Sequence, residues 1–231
     1  MNIKILQGIE GAKQAKGLTV IIDVFRAFSL EVFLTNQNAH KIHPVSNLDE
    51  AYAIQEKHPE YIFIGERNGI PCEGFDFGNS PSQVNGLDLF GKTIIHTTSA
   101  GTQGIINAQN ADEILTGALI NAQAIATYIK QKDPKEVSLV AMGLGLAGGE
   151  PTEEDTLCAE YIQSMLEGKP IQLEERIENL KYTSGKKFFD PELSKIFPNK
   201  DFYMCTQVNI FDFVLKVEKE ENLFVSKKIE I

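Results

Sequence analysis

The sequence predicts an α/β fold: three layers, α/β/α, around a mostly parallel sheet, with a C-terminal segment of extra strands. Three observations carry this. Apolar strand-like runs alternate with helical periods from residue 18 to 168, the pattern of a sheet covered by helices on both faces. Leu18–Val24 reads Leu-Thr-Val-Ile-Ile-Asp-Val, a β-branched run suited to a strand buried on both faces of a parallel sheet. Beyond residue 170 the strand candidates lose their intervening helices. Residues 1–170 are therefore expected to form the α/β domain carrying most of the site, and 171–231 an α+β extension packed on it.

Taken in order, Ile3–Leu6 is a short strand candidate and Leu18–Val24 the buried one. Phe28–Asn36 reads as a helix, Lys41–Val45 as a strand, and Asn47–Lys57 as a helix with Asn47 as its N-cap. Tyr61–Ile64 is a strand that feeds Gly65–Pro81, a long glycine-rich loop with three carboxylates and one arginine. A loop of that length inside a compact domain is commonly functional. Lys92–Thr98, Glu113–Thr116 and Val137–Met142 are strands, followed by helices at Gln103–Gln109, Asn121–Lys132 and Thr152–Leu166. Thr152-Glu153-Glu154-Asp155 reads as a capping box with Asp in place of Glu. In the last quarter, Leu173–Leu180 and Pro191–Ile196 are helical. Phe202–Thr206, Phe213–Val217 and Leu223–Ser226 are strand candidates for an antiparallel edge or a small subdomain.

The composition excludes several classes. The 231 residues carry a net charge of −10, against a general nucleic-acid binder and against an anionic membrane surface. No apolar run has the length of a signal peptide or a membrane span. Three dispersed cysteines form neither a disulfide framework nor a zinc cluster, so a cytoplasmic protein is expected, with a homodimer allowed. Cys158 reads as a small buried residue and Cys72 as the more accessible thiol.

Ligands of open α/β sheets bind beyond the carboxyl ends of the strands. Five loops should therefore share one rim: Asp23–Ser29, Glu66–Pro81, Thr97–Thr102, Gly117–Asn121 and Gly143–Asp155. The rim carries the acids Asp23, Glu66, Glu73, Asp76, Glu154 and Asp155, oxygen donors of the type that hold Mg²⁺. It also carries Arg26 and Arg67, two of only three arginines, and the hydroxyl-rich stretch Thr97-Thr98-Ser99-Ala100-Gly101-Thr102 before a helix, which suits an anion. Each group also has an ordinary use, as a cap, a turn or an Asp–Arg pair. Gly143–Gly149 resembles a phosphate loop but lacks a Walker lysine. Together these features point to an enzyme that binds a small polyanion with a divalent cation, with phosphoryl transfer or hydrolysis as the natural chemistry.

Several stretches resemble the 2-phosphosulfolactate phosphatase family. They are Ile22-Asp23-Val24-Phe25-Arg26-Ala27, Gly65-Glu66-Arg67-Asn68-Gly69, Gly74-Phe75-Asp76-Phe77-Gly78-Asn79-Ser80-Pro81, Thr97–Thr102 and Glu154-Asp155-Thr156-Leu157-Cys158-Ala159. The resemblance implies a Mg²⁺-dependent phosphatase of coenzyme M biosynthesis that converts 2-phospho-3-sulfolactate to 3-sulfolactate. It places Asp23, Arg26, Glu66, Arg67, Asp76, Asn79 and Ser80 in the site, with Thr98, Gly101, Thr102 and Asn121 near it; Ser99 joins them from the hydroxyl stretch. Asp23, Glu66, Asp76 and Asp155 are the metal-ligand candidates, and Asp23, which ends a buried strand, is the preferred nucleophile. Phe28-Ser29-Leu30, Ala100 and the arginine-free Leu144–Glu150 depart from the family pattern. These departures bear on the native substrate more than on the reaction class. A phosphorylated hydroxy acid without sulfonate is the alternative substrate, and anion binding without turnover the alternative function.

Overall fold

The computed structural model describes residues 1–144 and 150–231. Strands β1 (Asn2–Gln7), β2 (Gly17–Ile22), β3 (Lys41–Pro44), β4 (Ile62–Arg67), β5 (Ile70–Pro71), β6 (Thr93–Thr97), β7 (Ala111–Gly117), β8 (Glu136–Ala141), β9 (Phe213–Glu220) and β10 (Leu223–Glu230) form one mixed sheet. Their order is β1-β8-β2-β7-β9-β10-β3-β6-β4-β5. The helices are α1 (Gly8–Gln14), α2 (Ala27–Asn36), α3 (Leu48–Lys57), α4 (Pro81–Val84), α5 (Gly101–Asn107), α6 (Ala122–Lys132), α7 (Glu153–Glu167), α8 (Leu173–Asn179) and α9 (Asn199–Cys205).

The sheet contains two parallel blocks. In one, β8 lies parallel between β1 and β2, and β2 lies parallel to β7; in the other, β6 lies parallel between β3 and β4. The antiparallel pairs β7–β9, β9–β10 and β10–β3 join them, so the blocks run in opposite directions. The sequence left an antiparallel edge or a small subdomain for the C-terminal strands; β9 and β10 instead form the middle of the sheet. The reason lies in β9. Phe213, Val214 and Leu215 are all at most 1% exposed, so consecutive residues bury both faces, as in a central strand.

Helices cover both faces. Leu18, Val20 and Ile22 of β2 pack with Ile125 and Ile129 of α6 and Leu157 and Ile162 of α7, while Ile21 faces the other way toward Ala12 of α1 and Ile105 of α5. Each block also sends a helix to the other. Helix α2 leaves β2 but buries Leu30 and Leu34 against Ile42, Ile64 and Ile94 of the second block. Helix α5 leaves β6 but packs on Ile21, Val140 and Met142 of the first. At roughly 1.5–3 kcal/mol per fully buried large aliphatic side chain, these exchanged contacts bind the two blocks firmly together.

The exchange depends on Gly104 in α5. A β-carbon there would lie 2.5 Å from Ile21 Cγ2 and 2.5 Å from Met142 Sδ. Alanine favours a helix over glycine by about 1 kcal/mol, but overpacking costs about 1–3 kcal/mol. We expect Gly104→Ala to be net destabilising in a urea denaturation series, with a lower midpoint at unchanged slope.

Two local expectations are corrected. Phe202–Thr206 belongs to a helix, α9: Asp201, Phe202, Met204 and Cys205 are buried while Tyr203 is 50% exposed, a helical and not an alternating pattern. The capping box at Thr152 does not form, since Thr152 is the N-cap of α7 without a side-chain cap bond. Asn47 does cap α3, its Oδ1 accepting from the N–H groups of Asp49 and Glu50.

Candidate active site

The two crossovers meet at Gly101, where a β-carbon would lie 3.0 Å from each of Ala27 Cβ, Phe28 Cζ and Asp23 Oδ2. Beside this contact a cavity of ≈ 290 Å³ opens, lined by Asp23, Phe25, Arg26, Glu66, Asn68, Gly69, Asn79, Ser99, Ala100, Gly143, Leu144, Lys187 and Phe197. The loops after β2, β4, β6 and β8 thus converge. The fifth loop stays away: Asn121 is fully buried, its Oδ1 accepting from Ala118 N and its Nδ2 donating to Phe213 O.

Asp23 closes β2. Its Oδ1 accepts from Ala27 N at 3.0 Å, at the start of α2, and Oδ2 lies toward Gly101. Burial raises its carboxyl to about 6; the Ala27 N–H opposes the shift, Glu66 and Glu154 add to it, and Lys187 offsets part of it. Both oxygens of Glu66 are engaged: Oε1 accepts from Ser99 N at 2.7 Å, and Oε2 from Ser99 Oγ at 3.1 Å and from Gly69 N. It is a loop organiser facing the cavity. Asp155 ties two rim loops together, Oδ1 accepting from Val24 N at 2.7 Å and Oδ2 from Gly143 N at 2.9 Å. Burial, then Glu154 and Asp23, hold its carboxyl well above the ordinary range, and burial likewise raises Glu154.

Arg26 is 3% exposed and half committed. Its Nη1 donates to Ile196 O and to Asp201 Oδ2, both at 2.8 Å, and its guanidinium carbon sits 4.7 Å from the Phe197 ring centroid. Asp201, fully buried, also accepts from Ser80 Oγ and Ser82 N at 2.9 Å. Ser80 is thus a strut behind the cavity, while Asn79 lines it, with Oδ1 3.2 Å from His96 Nε2. His96 Nδ1 in turn meets Glu31 Oε1 at 2.9 Å in a buried pair.

Other sequence candidates lie outside the cavity. Arg67 turns away, donating to Glu66 O, Ser46 O and Thr97 Oγ1. Asp76 is exposed and accepts from Phe63 N. Phe63 stands three residues before Glu66, or roughly 10 Å back along the strand. Thr98 and Thr102 bond each other at the start of α5. Cys72 is buried, not accessible, and Cys158 and Cys205 are also buried free thiols. The glycine loop falls largely on residues 145–149, outside the described residues.

Sequence reasoning missed Lys187, Phe197 and Asp201, all from the C-terminal stretch. Lys187 stands two residues after Gly185, and burial pulls its ammonium down while Glu154, Asp23 and Asp155 pull it up. The Lys-Lys-Phe-Phe run at 186–189 has no chemical signature of its own. Only the fold carries it to the end of β2.

For Mg²⁺ the donor set is lean. Among the described residues no three His, Cys, Asp or Glu side chains are grouped to hold one metal ion. Glu66, Asp76 and Asp155 spend oxygens on backbone N–H groups, and Asp23 Oδ2 is the carboxylate oxygen left at the cavity without a hydrogen-bond partner among the described residues. Mg²⁺ commonly takes only one or two carboxylates and completes its shell with water and substrate oxygens, so Asp23 fits that mode.

An α/β fold with a cavity joining a perturbed carboxylate to two cations is the architecture of an enzyme acting on a small anion. Over residues 3–220 the chain matches the family model described as 2-phosphosulpholactate phosphatase, and it belongs to that family of phosphoric monoester hydrolases. It is 32% identical over 222 residues to a probable 2-phosphosulfolactate phosphatase of Bacillus subtilis, covering 95% of each chain. A protein of the same description from Carboxydothermus hydrogenoformans is 31% identical over 97% of each chain, and one from Clostridium perfringens is 29% identical over 93% of this chain and 91% of its own. No helix among the described residues is long and apolar enough to cross a membrane.

Proposed function

We propose that this chain hydrolyses the phosphate ester of 2-phosphosulfolactate, or of a similarly small phosphorylated hydroxy acid, and does so with Mg²⁺. The observation that carries this reading is the shared cavity of Asp23, with one carboxylate oxygen uncommitted, and Arg26, of whose guanidinium only Nη1 is given to Ile196 O and Asp201. Asp23 is the nucleophile. Its Oδ1 is fixed by Ala27 N, and Oδ2 attacks phosphorus while the bond to the ester oxygen breaks; the departing alkoxide takes a proton from solvent water and leaves as the hydroxy acid. Water then hydrolyses the aspartyl phosphate and regenerates Asp23. Arg26 offsets charge on the non-bridging oxygens, and Ser99 and Gly69 hold the Glu66 loop in place beneath them. Mg²⁺, when bound, would be held by Asp23 through Oδ1, which keeps a lone pair beside its bond from Ala27 N, with water completing its shell, and would neutralise phosphoryl charge.

A phosphate-release assay over phosphosulfolactate, phospholactate and phosphoglycerates, with Mg²⁺ and with chelator, tests the reading. Metal-dependent turnover led by phosphosulfolactate is expected. Turnover led by phospholactate would move the substrate to the sulfonate-free class. Tight binding of these esters without hydrolysis at any Mg²⁺ concentration would overturn the enzymatic assignment in favour of a small-anion binding protein.

A further inference from the structure

We infer that Lys187 is a second phosphate-binding cation, gripping the phosphoryl group beside Arg26. The inference rests on the phosphatase reading for its reaction but on this chain's own geometry for its placement. Lys187 and Arg26 lie against the same two rings. The Lys187 ammonium is 5.2 Å from the Phe197 centroid and 5.6 Å from Phe188; the Arg26 guanidinium carbon is 4.7 Å and 5.9 Å from them. Both side chains line the cavity that Asp23 enters.

The charge balance of the cavity favours such a group even beside a divalent cation. A phosphate monoester carries close to two negative charges near neutral pH, and it would sit against Asp23 and Glu66. Arg26 gives Nη1 to Asp201 and Ile196, and Arg67 is committed away from the cavity. Lys187 makes no salt bridge among the described residues, so its three rotatable donors are available as a mobile point charge.

The backbone at this position is closely packed. Phe188 is 1% exposed, and a β-carbon on Gly185 would lie 2.5 Å from the Phe202 ring. A resting place for the ammonium adjoins it. Glu154, Thr152 and Ser184 place buried oxygens together there, the two hydroxyls acting on the Glu154 carboxylate, and Glu154 is the acid acting most strongly on Lys187. In the free enzyme the Glu154 charge attracts the ammonium. With substrate bound it donates to a non-bridging phosphoryl oxygen.

The test compares wild type, Lys187→Met and Lys187→Arg in two measurements. One is kcat/KM on phosphosulfolactate and on phospholactate; the other is calorimetric titration with inorganic phosphate and Mg²⁺. Loss of one charge-assisted hydrogen bond predicts that Lys187→Met weakens phosphate binding and lowers kcat/KM by about 10–100-fold, equally on both esters, with most of each recovered in Lys187→Arg. Unchanged phosphate affinity in Lys187→Met, or a loss confined to the sulfonated ester, would overturn the proposal. A wild type that releases no phosphate would instead defeat the phosphatase reading, and the titration alone would then decide whether Lys187 binds phosphate. If Lys187→Met melts well below wild type, Lys187→Gln provides the comparison.

Discussion

Asp23→Asn makes the metal-free protein more stable at pH 8 while abolishing phosphate release. The carboxyl moves from an ordinary 3.8 to about 6 on folding, chiefly through burial. A raised acid pKa means that the folded state prefers the protonated form. The cost of holding the ionised form is absent below pH 4, grows as pH rises from about 4 to 6, and is complete above 6. Near 1.4 kcal/mol per unit, that cost is about 3 kcal/mol at pH 8. Asparagine removes the charge and keeps an oxygen for the Ala27 N–H, so the backbone bond survives. For a chain of this length the gain corresponds to roughly 5–10 °C in melting temperature. Scanning wild type and variant in chelator at pH 4 and pH 8 should show coincident curves at the lower pH and the variant higher at pH 8. Activity should fall by about three orders of magnitude or more, since an amide oxygen is a poor nucleophile for phosphorus. Such a stability gain with loss of function is common where a site is built at a structural cost.

Asp201→Ala has the opposite character. Arg26 and Asp201 are 3% and 0% exposed and meet at 2.8 Å. Removing the acid leaves a buried guanidinium with only Ile196 O for its Nη1, and leaves Ser80 Oγ and Ser82 N without their acceptor. Breaking one partner of a buried pair costs about 3–5 kcal/mol. We expect a loss of that size in urea unfolding. The double variant Arg26→Met with Asp201→Ala should be more stable than Asp201→Ala alone, because the stranded charge is gone. Equal stabilities would show that Arg26 finds solvent once Asp201 is removed. Phosphate release should fall in both, since the pair joins the Asp23 loop to the wall formed by Phe197 and Lys187.

The fold and the site were legible to different degrees in the sequence. Strands such as β2 and helices such as α3 were readable because their information is local: a β-branched run, an Asn cap, a period of 3.6. The central place of β9 could have been read from Phe213-Val214-Leu215 by the rule applied to Leu18–Val24, but the lack of intervening helices suggested an edge or a small subdomain. The opposed direction of the two blocks was not readable, because α2 and α5 carry the same apolar pattern whichever block they cover. Of the residues lining the cavity, Asp23, Arg26, Glu66 and Ser99 were read from their position after strands and Asn79 from the family resemblance. Asp76 and Arg67 were drawn in by charge and motif, yet their partners, Phe63 N and Ser46 O, lie off the cavity. Lys187 and Asp201 were invisible because their roles arise from packing more than 160 residues away from Asp23 in the chain.

The central claim is that Asp23 is the group that takes the phosphoryl. Acid-quenching the enzyme during turnover of phosphosulfolactate with Mg²⁺, reducing with borohydride and mapping peptides by mass spectrometry tests it directly. An aspartyl phosphate at this position predicts conversion of residue 23 to homoserine in wild type and none in Asp23→Asn. Steady phosphate release with residue 23 recovered only as aspartate, or undiminished turnover in Asp23→Asn, would contradict it.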